Sequence, residues 1–217
     1  MAAEIKSLFL AGPAGRLEAL LNAGQPGASH AALVCHPHPL CGGTMHNKVV
    51  YHAMKTLSGF GFPVLRFNFR GAGLSQGSHD EGRGEVEDVR VALAWLKDEF
   101  HLPIIFCGFS FGTAVGMRAA CPDAGVIAII SLGTPLAAAG RAYSYEYLAR
   151  CAKPKLFVSG AEDEFGPTPR LEAVVAQAAE PKQLVIISGV DHFFAGKVKE
   201  VQRVVEDWLR GLLAARP

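Results

Sequence analysis

The chain has 217 residues, half of them hydrophobic, which is the size of a single large α/β domain spanning 1–217 and enough to bury about 70% of the unfolded surface. Its 21 basic and 20 acidic residues form no basic block, which excludes the charge pattern of a nucleic-acid or membrane-surface protein. No run is long enough to span a bilayer, the N-terminus lacks the apolar core of a signal peptide, and Cys35, Cys41, Cys107, Cys121 and Cys151 lack CxxC spacing, so a cytoplasmic protein with reduced thiols is expected.

Two short apolar runs, residues 7–10 and 17–21, flank the turn residues 12–15 and predict an antiparallel hairpin. Residues 31–35 read as a strand, and the loop that follows, His36-Pro37-His38-Pro39-Leu40-Cys41-Gly42-Gly43, cannot be regular structure with two prolines and two glycines. Val50, Tyr51, Met54 and Leu57 recur at helical spacing over 47–57. Residues 63–69 form the next strand, followed by Arg70-Gly71-Ala72-Gly73, which lacks the Gly-Lys-Ser/Thr ending of a phosphate loop. From Glu85 towards Phe100 an amphipathic helix is expected, with Glu85, Glu87 and Asp88 favoured by the helix dipole in its first turns.

Residues 104–116 carry the most informative pattern. An apolar run, then Gly108-Phe109-Ser110-Phe111-Gly112, then a helix-compatible segment give the strand, sharp turn and helix of a nucleophile elbow, with Ser110 exposed at the helix N-terminus. Further strands are expected at 126–130, 155–158 and 183–187, and helices at 170–178 and 198–213. This alternation argues a mostly parallel sheet of about eight strands with helices on both faces, whose ligands bind at the carboxyl ends of the strands. The segment 135–154, where a lid would be inserted, has room for about one short helix.

A serine hydroxyl is a weak nucleophile and needs a base within hydrogen-bonding reach and a group that orients the base. His192 lies in a loop just after the last expected strand, and no other histidine lies after a strand beyond Ser110. The acid comes from Glu162-Asp163-Glu164 after the strand at 155–158; Asp163 is favoured, with Glu162 and Glu164 as alternatives. Phe109, Phe165, Phe193 and Phe194 flank these residues and, with Tyr143 in the short lid segment, are candidates for an apolar pocket, although several aromatics of this kind serve as ordinary core.

The order Ser110, Asp163, His192 is that of α/β-hydrolases. The chain resembles that superfamily, and is similar to the small bacterial serine hydrolases related to dienelactone hydrolase that carry a His-Pro-His-Pro loop. The matching residues are 36–50, 67–75, 108–112, 160–163 and 191–194. Dienelactone hydrolase itself uses cysteine, so the resemblance implies the fold and an esterase-type mechanism, not that reaction. It also assigns residues 36–40 to the oxyanion hole, whose backbone donors would be Phe111 and either His38 or Leu40, because Pro37 and Pro39 have no N–H; Leu40 is favoured. That assignment weighs against reading His36, His38 and His46 as metal ligands, and neither a metal nor another cofactor is expected. The expected function is hydrolysis of small or short-chain carboxylic esters through an acyl-enzyme intermediate. Thioester, peptide or acyl-transfer chemistry on the same residues, or a catalytically silent binding protein, are the alternatives.

Overall fold

A computed structural model describes residues 4–138 and 140–215. Strands β1 (Ile5–Gly12) and β2 (Gly15–Asn22) form the N-terminal hairpin, and β3 (Ala31–Cys35), β4 (Val64–Phe67), β5 (Ile104–Phe109), β6 (Val126–Leu132), β9 (Lys155–Gly160) and β10 (Lys182–Ile187) complete an eight-stranded sheet. Its spatial order is β1-β2-β4-β3-β5-β6-β9-β10. The β1–β2 and β2–β4 pairs are antiparallel, and every later pair is parallel. The two-residue strands β7 (Ala137–Ala138) and β8 (Arg141–Ala142) form a small separate hairpin.

Side chains of a strand alternate between faces, and here both faces are apolar. On one side Leu33, Cys35, Ile104 and Phe106 pack with α2 (Arg83–Phe100), α3 (Phe111–Ala120) and α4 (Thr168–Gln177). On the other, Ala32, Val34, Ile105 and Cys107 pack with α1 (Lys48–Gly59) and α5 (Val198–Ala214). Asn47 starts α1 by accepting the Val49 amide on its side chain at 2.9 Å, an N-cap that stabilises the first turn. Among the described residues no helix is long and apolar enough to cross a membrane.

Several boundaries differ from expectation for identifiable reasons. The strand expected over 63–69 ends at Phe67, because the Phe69 amide donates to His36 Nε2 (2.9 Å) and Asn68 Oδ1 accepts the Met45 amide (2.8 Å), which turns the chain out of the ladder. Tyr51, expected on the buried face of α1, is 46% exposed; Val49, Val50, Ala53, Met54 and Leu57 form that face. Glu85 is fully buried, and its carboxylate accepts the amides of Asp80 (2.8 Å) and Gly82 (2.7 Å) ahead of α2, so local hydrogen bonds as well as the dipole fix it there. Segment 135–154 holds the β7–β8 hairpin and the 3-10 turn Glu146–Arg150, with Leu148 and Tyr145 packed into the core.

The loop after β4 is tied to α2 by a buried ion pair. Arg70 Nη2 lies 2.7 Å from Asp88 Oδ1, and its Nε and backbone N–H both donate to Oδ2. Removing one partner of such a pair leaves an uncompensated buried charge, whereas an apolar pair of similar volume costs little. Asp88→Ala should therefore lose about 3–5 kcal/mol in urea denaturation, and Arg70→Met/Asp88→Leu should recover most of it. A loss below about 1 kcal/mol in the single variant would show that this pair does not hold α2 to the loop.

Candidate active site

The site is built at the carboxyl ends of β3, β5, β9 and β10. Between β5 and α3 the chain reverses so sharply that Ser110 adopts φ 54°, ψ −121°, outside the usual basins of an L-residue. Glycine on either side makes this possible. A Cβ on Gly108 would lie 2.6 Å from the Thr113 backbone, and one on Gly112 would lie 2.5 Å from the carbonyl oxygens of Cys35 and His36. The turn is locked by Ser110 N–H donating to Leu132 O (2.9 Å) and by Thr113 Oγ1 donating to Gly108 O (2.6 Å).

His192 reaches the turn from the loop after β10. Asp191 holds that loop by accepting the Phe193 and Ala195 amides on its side chain, and Phe194 anchors it in the core. His192 Nε2 lies 2.8 Å from Ser110 Oγ, and its Nδ1 lies 2.8 Å from Asp163 Oδ2. Asp163 is buried, and its carboxylate also accepts the amides of Phe165 (2.9 Å) and Gly166 (3.1 Å) and the Ser159 hydroxyl (3.2 Å). An ionised carboxylate only accepts, so the proton of the neutral imidazole sits on Nδ1 and leaves Nε2 free to accept from Ser110. Glu162 and Glu164 are exposed, and Asp163 alone of the three meets the imidazole.

The loop after β3 forms the opposite wall. His36 is buried with both ring nitrogens engaged: Nδ1–H donates to Pro37 O at 2.7 Å, and Nε2 accepts the Phe69 amide at 2.9 Å. Burial pushes its pKa down to about 4. A ring used in this way has no lone pair for a metal, and among the described residues no three His, Cys, Asp or Glu side chains converge as a metal site. The carbonyl of His38 accepts the Cys41 and Gly43 amides, which curls residues 38–43 over the site. Leu40, favoured above as the second oxyanion donor, directs its N–H to His38 Nδ1 (3.2 Å) and turns its side chain to solvent, so that amide is engaged within the loop. The His38 imidazole contacts His79 and Phe111, each with ring centroids 4.7 Å away; its pKa is lowered, mainly by burial and then by His79.

Ser110 and His192 open on a cleft of about 130 Å³ walled by Pro37, His38, Cys41, Asn47, Phe165 and Phe193. Phe165 and Phe193 are the pocket aromatics named above that line it. Phe109 instead lies beneath His192, its ring stacked at 5.3 Å, because an odd position of β5 faces the α1–α5 core. Tyr143 lines a separate depression with Glu81, Ala114 and Arg141, drawn away by its amide bonding to Leu136 O. Cys41 and Asn47 were not foreseen as walls. The Asn47 capping signal was readable, but nothing local shows that α1 starts beside Ser110.

Residues 30–211 match the family model described as an alpha/beta hydrolase domain. An alpha-beta serine hydrolase homologue from Coxiella burnetii is 37% identical and superposes with a TM-score of 0.85, over 94% of this chain and 97% of that one. A serine hydrolase without a lid from Xanthomonas campestris is 31% identical, TM-score 0.85, over 99% and 97%. An uncharacterized protein of Rickettsia prowazekii is 34% identical over 93% of this chain and 87% of its own.

The buried, neutral His36 makes stability depend on pH. The unfolded chain takes up its proton near 6.5 and the folded chain only near 4, so stability is full above 6.5 and falls as the pH drops towards 4. The gap corresponds to about 3 kcal/mol. Urea midpoints measured across this window should fall steeply in the wild type and less steeply in His36→Gln; equal slopes would remove His36 as the cause.

Proposed function

Since the chain belongs to the alpha/beta hydrolase family, we propose that it is a serine esterase that cleaves small carboxylic esters through an acyl-enzyme on Ser110. The observation that carries this reading is the continuous hydrogen-bonded chain from Ser110 Oγ through His192 to Asp163, with both links at 2.8 Å.

In the proposed cycle His192 Nε2 takes the Ser110 proton as Oγ attacks the ester carbonyl. Asp163 keeps the imidazole in the competent tautomer and stabilises its charged form. The developing oxyanion is received by the amide of Phe111, at the first position of α3 where no i−4 acceptor exists, and by that of His38. His192 returns its proton to the leaving alcohol. It then deprotonates a water that attacks the acyl-enzyme, releasing the acid and regenerating Ser110. Phe109 under the imidazole and Phe165 at its edge restrict the ring to this orientation.

Substrate size follows from the cleft. Its small volume, with walls of Phe165, Phe193, Ala138 and Pro37, suits a short acyl group, and the reduced 135–154 segment leaves the entrance open, in keeping with similarity to a lidless relative. Hydrolysis of p-nitrophenyl esters from acetate to palmitate should be fastest with the shortest chains. Ser110→Ala should lower kcat by roughly 10⁴-fold or more. Asp163→Asn should lower it by up to roughly 10⁴-fold, while Glu162→Gln and Glu164→Gln stay within a few-fold. No turnover of any ester by the wild type, or near-normal turnover by Ser110→Ala, would overturn the proposal.

A further inference from the structure

On the sheet face covered by α2, α3 and α4, a groove of about 720 Å³ opens between α2, the C-terminal end of α3 and the 3-10 turn Glu146–Arg150. It shares no lining residue with the Ser110 cleft: Ser110 precedes α3, whereas Arg118 and Cys121 lie at the other end of that helix, about 15 Å along its axis. None of its side chains takes part in the reaction proposed above.

Two thiols meet there. Cys121 follows the last turn of α3, Cys151 follows the 3-10 turn, and both line the groove as neighbours, each thiol shifting the other's ionisation. The neighbouring Cys121 thiol draws the Cys151 thiol down in pKa against its burial, with help from the Lys153 backbone and the Lys155 and Lys153 charges. Lys155 is buried beside it, its ammonium donating to the carbonyls of Cys151 (2.5 Å) and Lys153 (2.6 Å). A thiol in electropositive surroundings is poised as a nucleophile.

The rest of the lining selects for negative charge. Arg90, Arg118 and Arg150 face a single carboxylate, Glu146; Arg90 is paired with Glu87, and among the described residues neither Arg118 nor Arg150 makes an ion pair. The Tyr147 hydroxyl is buried at the same wall with no hydrogen-bond partner among the described residues, a donor that an anionic ligand would satisfy.

We propose that Cys121 and Cys151 are a redox-active dithiol oxidised by small anionic disulfides, which bind in the groove through Arg118 and Arg150. The Cys151 thiolate attacks one sulfur of the disulfide, breaking its S–S bond and releasing one thiolate, which takes up the proton that Cys151 gave up. Cys121 then attacks the Cys151 sulfur of the mixed disulfide, forming the Cys121–Cys151 bond and expelling the second half of the ligand, which carries away the Cys121 proton. The protein loses two electrons and two protons, and the disulfide becomes two thiols.

The test uses the reduced full chain with the exposed Cys41 replaced, Cys41→Ser. It is incubated with oxidised glutathione or with neutral 2-hydroxyethyl disulfide and mapped by mass spectrometry of non-reduced peptides. A Cys121–Cys151 crosslink should form at least about fivefold faster with oxidised glutathione at low salt, an advantage lost at high salt and in Arg118→Gln/Arg150→Gln. Cys121→Ser should instead stop at a mixed disulfide on Cys151. The proposal is overturned if both thiols stay free to alkylation in the folded protein, or if the two disulfides react at equal, salt-independent rates.

Discussion

The close approach of the first turn of α3 to the end of β5 and to the loop after β3 is the constraint on which the site depends. Gly108 and Gly112 admit it, and any side chain there would meet backbone atoms that cannot move aside. The reversal forces Ser110 into a strained conformation, held by its bond to Leu132 O. Ser110 and the first turn of α3, where the proposed Phe111 donor lies, are thus positioned by one backbone event, and the parallel sheet only has to bring the other groups to that edge.

It does so through strands on either side of β5. β3 ends beside it and delivers the 36–43 loop, while β9 and β10, beyond β6, deliver Asp163 and His192. Each loop is fixed by its own hydrogen bonds before any substrate is present: His36 bridges Pro37 and Phe69, Asp163 gathers two amides and a hydroxyl, and Asp191 caps the His192 loop. Such prior ordering is what allows dipoles to stabilise developing charge without reorganising.

The fold was legible because its signals are local and repeated: apolar runs of strand length, helical spacing in between, and the Gly-x-Ser-x-Gly turn. The apolar run ahead of Gly108 reads as a strand, and residues 104–109 form one that is buried on both faces. The convergence of Ser110, Asp163 and His192 was readable because each follows a recognisable strand. What escaped the sequence depends on direction and distance. Leu40 and His38 are equally placed in the string, and only the curl of the loop, which turns the Leu40 amide onto His38 Nδ1, separates them. Phe109 and Phe193 both adjoin a site residue, yet strand alternation sends one under the imidazole and leaves the other at the cleft. The presence of Cys121 and Cys151 on one groove, thirty positions apart without a motif, has no local signature at all.

The account turns on Ser110 being a nucleophile activated by His192. Reaction of the wild-type protein with a fluorophosphonate, followed by peptide mapping, tests that most directly. One adduct per chain, located on Ser110 and absent from a folded His192→Ala variant, is the predicted result. A protein that takes up no label, or takes it up elsewhere than Ser110, contradicts it.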